Sequence, residues 1–119
     1  MTDNVAALRQ LLLSVPREAL PMTYQQVASA LALTPPRTIA QVTQTLEQLM
    51  REDAAHHKPF IAALVVSRRG EGLPAAGFFE LAVALGRFPA DTAQHKAAYY
   101  AEFQRALTER VNDDKSDQP

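Results

Sequence analysis

The chain has 119 residues, 47% of them hydrophobic and 21% charged, a size that builds one compact core and leaves too little for two. Its 12 Lys and Arg stand against 13 Asp and Glu, a formal net charge of −1 that excludes a partner attracted by a strongly charged body and confines any electrostatic role to a local patch. With no cysteine, disulfides, thiolate nucleophiles and thiolate metal sites are excluded, which suits a reducing compartment.

In chain order, Val5, Leu8 and Leu12, widened by Leu11 and Leu13, predict an amphipathic helix over 4–14. Asp3 and Arg9 break any secretory pattern there, so a cytoplasmic location is expected. Pro16 and Pro21 confine the next stretch to a loop. Thr23 followed by Gln26 is a capping box, with Met22 placed to staple onto Val27, and it opens a helix from Tyr24 to about Ala32. Thr34-Pro35-Pro36 resets the chain, with Thr34 as cap and proline in a first turn whose N–H groups lack partners. A third helix is expected from about Pro36 to Ala54, with Ile39, Val42, Leu46, Leu49 and Met50 on its apolar face.

Lys58-Pro59 ends that helix, and the run Phe60 to Val66 reads as one buried strand, far short of the roughly 20 residues that cross a bilayer. No membrane partner is therefore expected. Arg68-Arg69-Gly70-Glu71-Gly72 is a tight basic turn, and Pro74 argues against a long returning strand, leaving a short hairpin or a single strand with a loop. Phe78, Leu81 and Leu85 predict a fourth helix over 78–85, closed by Gly86. Asp91 with Gln94 starts a fifth, running to about Val111 with Tyr99, Phe103, Leu107 and Val111 as its stripe. The tail from Asn112 to Pro119 has three Asp, one Lys and no apolar residue, and is expected to be disordered.

Catalytic signatures are missing from the sequence: there is no G-x-S-x-G, Walker loop or H-E-x-x-H. His56 and His57 are adjacent and so diverge by about 100° on a helix, which fits a solvated helix end better than a metal site. Glu52-Asp53 reads as a polar face. No catalytic residue, metal or cofactor is expected.

The order helix, turn, helix, strand, basic loop is that of a winged-helix module, whose second helix offers its first residues to a nucleic-acid groove. Small or polar side chains there, Thr38, Gln41, Gln44 and Thr45, are suited to base edges, and Arg37, Lys58, Arg68 and Arg69 to phosphates. Met22-Thr23-Tyr24-Gln25-Gln26-Val27-Ala28, then Arg37-Thr38-Ile39-Ala40, then Val65-Val66 with Gly70, resembles the DNA-binding C-terminal domain of alkylguanine-DNA alkyltransferases and alkyltransferase-like proteins. That resemblance covers about residues 20 to 75. It implies that Thr23-Tyr24 opens the first helix of the motif and Arg37 heads the second. It departs at the chemistry, because the acceptor cysteine and its histidine fall on Ala62 and Ala63, the arginine after them on Leu64, and the proline before them on Ile61.

The expectation is a mainly α domain with minor β over residues 1–111: a winged-helix-like helix-turn-helix with one short strand or hairpin and two C-terminal helices. Its expected role is that of a non-enzymatic, DNA-binding-like module that binds nucleic acid, duplex DNA being one candidate partner and the choice between DNA and RNA left open, through Thr23, Tyr24, Arg37, Thr38, Gln41, Lys58, Arg68 and Arg69. The alternative is a protein-interaction or homodimerisation module using either the helix-turn-helix surface or the aromatics Phe78-Phe79 and Tyr99-Tyr100.

Overall fold

The computed structural model describes residues 4–68 and 72–116, with side chains up to Arg110. It is mainly helical with one small sheet: α1 (Asn4–Ser14), β1 (Met22–Thr23), α2 (Tyr24–Ala30), α3 (Thr38–Ala55), β2 (Val65–Val66), α4 (Ala76–Ala84) and α5 (His95–Ser116). Short 3-10 turns stand at Arg17–Ala19, Ile61–Leu64 and Thr92–Gln94. Among the described residues no helix is long and apolar enough to cross a membrane.

The capping box forms as its spacing predicts. The Thr23 hydroxyl accepts from Gln26 N at 3.1 Å, and the Gln26 side chain accepts from Thr23 N at 2.9 Å. Two of the N–H groups that a helix start leaves unpaired are thereby satisfied. At the other end of the chain the Arg110 guanidinium donates to Leu12 O at 3.3 Å and to Val15 O, covering carbonyls that α1 leaves open at its C-terminus. Gly86 takes φ +76 after α4, as expected of a helix-closing glycine, with its N–H on Val83 O.

Several expectations are corrected. The stretch Phe60 to Val66 is not one strand: Ile61–Leu64 winds as a 3-10 turn, and only Val65–Val66 is extended. No hairpin forms among the described residues. Instead β2 pairs in parallel with β1, Met22 opposite Val65 and Thr23 opposite Val66, with α2 and α3 making the crossover. The loop after β2 closes on itself through Ser67 N to Leu73 O at 2.9 Å. The third helix starts at Thr38 rather than Pro36, because Arg37 takes a left-handed conformation (φ 64, ψ 38) that ends helical geometry there, and Thr34 does not cap it. Helix α4 starts two residues early, at Ala76, and α5 is preceded by a 3-10 turn capped by Asp91. It continues to Ser116, into the tail expected to lack structure; residues 117–119 of that tail lie outside the described residues.

The core joins α1, α3, α5 and the 3-10 turn Ile61–Leu64. Phe78 sits at the centre of an aromatic group, edge-on to Phe60, Phe79, Phe88 and Tyr99 at centroid distances of 5.4 to 6.0 Å. On α5 the buried face carries Tyr99 and Leu107 from the expected stripe, with Phe103 half-buried and the Val111 side chain outside the described residues, and it also carries Ala106 and Glu102, whose side chain is 1% exposed.

The cap gives a direct test. Thr23→Ala removes the side-chain acceptor for Gln26 N and is expected to cost about 1 kcal/mol. The urea midpoint should fall accordingly, and an unchanged midpoint contradicts the cap.

Candidate nucleic-acid interface

An open groove of about 480 Å³ lies where three parts of the chain meet. Tyr24 and Gln25 come from the head of α2, Ile39 from the first turn of α3, and Ser67 and Arg68 from the segment leaving β2. The parallel pairing of β1 with β2 produces this meeting, since Thr23 and Val66 are in register and each strand ends at the groove. Arg37 and Thr38 directly precede Ile39. Arg37 is exposed and Thr38 half-buried.

Of the residues expected to contact nucleic acid, the structure thus brings Tyr24 and Arg68 to one groove; Arg37 and Thr38 precede its Ile39 in the chain and are not among its lining residues. Thr23, next to Tyr24 in the chain, is committed to the capping box. Arg69 lies outside the described residues, as does Gly70. Lys58 is exposed but does not line the groove. It comes after α3, whose 18 residues span about 27 Å, and it borders a separate cavity of about 20 Å³ with Arg9, Asp53, Glu109 and Arg110. The physical reason is the length of α3, which puts its two ends on opposite sides of the domain.

The polar side chains on α3 are used differently from the expectation. Thr45 is buried, and its hydroxyl donates to Gln41 O at 2.8 Å, so it is closed to a partner. The Gln41 amide donates to Thr34 O and Pro36 O, 3.1 Å each. Gln44 is exposed. Ile39, placed by its spacing in the apolar stripe, is 38% exposed and faces the groove, because the first turn of α3 runs past the end of the core.

Tyr24 joins the groove to the interior. Its hydroxyl accepts from Ala75 N at 3.0 Å, tying the head of α2 to the residue that precedes α4. Burial pushes the hydroxyl above its ordinary pKa, the Ala75 N–H pulls it back, and the Glu47 carboxylate raises it again, so the group stays neutral at physiological pH. Tyr24 also borders a cavity of about 50 Å³ that Thr43, Glu47, Ala62 and Phe78 line. Ala62 and Ala63, the positions on which an acceptor thiol and its base fall in the resemblance, are 1% and 0% exposed, and their methyl groups belong to the core. Neither carries a nucleophile or a base.

Charge is unevenly spent. Arg9 pairs with Glu52 at 3.2 Å and Asp53 at 2.9 Å. Arg87 pairs with Glu102 at 2.9 Å, and Arg105 pairs with the same carboxylate. Burial pushes the Asp53 carboxyl above the ordinary carboxylate range, while the Ile61 N–H and the Arg9 guanidinium pull it back. Among the described residues, Arg37 and Arg68 enter no ion pair. A chain with near-zero net charge therefore still carries two guanidinium groups that meet no carboxylate among the described residues, Arg68 in the groove lining and Arg37 two residues before its Ile39. Among the described residues no group of three His, Cys, Asp or Glu side chains converges as a metal site, and both His56 and His57 are exposed at the end of α3.

Sequence reasoning passed over Gln25, Ser67 and Ile39 as groove residues. The only local signal was an aliphatic side chain in the first turn of a helix, ahead of the exposed Ala40.

Tyr24→Phe keeps the ring and deletes the acceptor for Ala75 N. The loss is expected to be about 1 kcal/mol, since Ala75 is only half-buried and water replaces part of the bond. Equal urea midpoints for the two proteins contradict the tether. No protein-family model, curated protein or solved structure matches the chain.

Proposed function

We propose that the groove between α2, α3 and the segment Ser67-Arg68 leaving β2 binds duplex DNA, and that the protein acts there as a binding module without catalysis. The observation that carries this reading is a groove lined by Arg68, Tyr24, Gln25 and Ile39, with exposed Arg37 two residues before Ile39 in the chain, where neither arginine enters an ion pair among the described residues. Guanidinium groups suit phosphates, and the major groove of B-form DNA is wide enough for a helix head, whereas that of A-form RNA is deep and narrow. The order of elements and the resemblance to the alkyltransferase DNA-binding domain support the same winged-helix-like reading. Buried alanines at the acceptor positions support binding without alkyl transfer. A chain without cysteine that binds DNA fits a cytoplasmic setting.

Few cations are available, so non-specific dissociation constants of about 10⁻⁴ to 10⁻⁶ M are expected at physiological salt. Arg37→Ala and Arg68→Ala should each lower the magnitude of the log-affinity against log-salt slope by about one. Lys96→Ala, on α5 and outside the groove lining, should leave it unchanged. Anisotropy of a labelled DNA duplex over several salt concentrations reads this, with an RNA duplex alongside. No binding at low salt, or equal effects of Arg37 and Lys96, removes the reading.

One observation favours a second reading, a protein or homodimer interface. Tyr100 is 48% exposed beside Tyr99, on the α5 surface that also carries half-buried Phe103. Concentration-dependent sedimentation of the free protein decides for or against it.

A further inference from the structure

The turn between α2 and α3 is short of backbone donors, because Pro35 and Pro36 carry no N–H. A single side chain supplies what they lack. The Gln41 Nε2 amide donates both of its hydrogens, one to Thr34 O and one to Pro36 O, while Gln41 N donates to Arg37 O at 3.0 Å. Residue 41 thus grips three carbonyls around Arg37. Arg37 itself holds φ 64 and ψ 38, with no side-chain cap of its own. A residue with a Cβ keeps that left-handed conformation only where its surroundings over-determine it. Among the described residues Gln41 is the side chain hydrogen-bonded to this turn.

We infer that Gln41 is a positioning residue: it fixes the turn so that the Arg37 guanidinium is presented to a phosphate at the head of α3, and it does not itself read a base. The inference rests on the proposed DNA reading of the groove. A glutamine that recognises adenine needs an amide donor and its acceptor together, and both amide hydrogens here are committed to the turn. An arginine on a loose turn must be ordered when it binds, whereas one on a clamped turn has already lost that freedom.

The test is a double-mutant cycle on the full chain with two labelled duplexes, one A·T-rich and one G·C-rich. Gln41→Met keeps length and helix propensity but has no donor, and Gln41→Asn, one methylene short, is the second variant. Arg37→Ala should weaken binding on the order of fivefold to tenfold at about 0.1 M salt, the effect of one phosphate contact. Gln41→Met should weaken it severalfold, equally on both duplexes, and should add no further loss in the Arg37→Ala background. Losses that multiply, or a loss seen on one duplex only, overturn the inference and make Gln41 a direct reader. If the unmodified protein binds neither duplex, the DNA reading falls. The Cα and Cβ chemical shifts of Arg37 then decide the positioning role separately: they should leave the left-handed range in Gln41→Met, and unchanged shifts overturn it.

Discussion

The structure depends on how one apolar segment, Pro59 to Val66, crosses the core without leaving its backbone unpaired. A buried N–H or C=O without a partner costs about 1 to 3 kcal/mol, and a sheet ladder is the usual remedy. Only Val65–Val66 has a ladder here. The 3-10 turn supplies two backbone bonds of its own, Ala63 N to Phe60 O at 3.1 Å and Val65 N to Ala62 O, and side chains reach in from other elements to meet further groups. Glu102 of α5 accepts from Phe60 N at 2.6 Å, Asp53 of α3 accepts from Ile61 N at 3.0 Å, and the Tyr99 hydroxyl donates to Ala63 O at 2.8 Å. Arg87 completes the clamp, donating to Lys58 O and to Glu102, both at 2.9 Å, with its guanidinium 4.4 Å from the Phe60 ring centroid.

Such a clamp is not a cheap source of stability. Burying a carboxylate costs several kcal/mol, which its ion pairs and N–H bonds must offset, and a well-packed apolar substitute is often as stable. Its effect here is registry. Both carboxylates fix where the segment begins its 3-10 turn, and that fixes which two residues pair with β1. The pairing in turn sets Ser67 and Arg68 beside the head of α2. The lining of the surface groove thus traces back to charges held in the interior.

Local features were legible in the sequence because their partners are near. Thr23 and Gln26 are three residues apart, Gly86 sits directly after a helix, and helical spacing accounts for the mainly α character with a short strand. The segment 60–66 was misread because an unbroken apolar run has no periodicity to distinguish strand from turn. What decides its shape comes from Tyr99 and Glu102, 36 and 42 positions away from the groups they bind. Glu102 was invisible for the same reason, an acid on an otherwise apolar face whose partners are long-range. At the candidate site, the tyrosine and the two arginines could be named from order and type. Lys58 could not be placed, because only the rigid length of α3 separates it from Arg37. Gln41 and Thr45 looked available to a ligand, yet the backbone of their own helix and its preceding turn had already claimed them.

The clamp is tested most directly by amide hydrogen exchange at Phe60 and Ile61. Their N–H groups point at buried carboxylates rather than at a ladder, and the account predicts that they exchange only when the whole domain unfolds, with the same free energy and denaturant dependence as global unfolding. Exchange of either amide through a low-energy, denaturant-independent local opening would show that the segment is not pinned, and would contradict the claim that it sets the register of β2 and the groove.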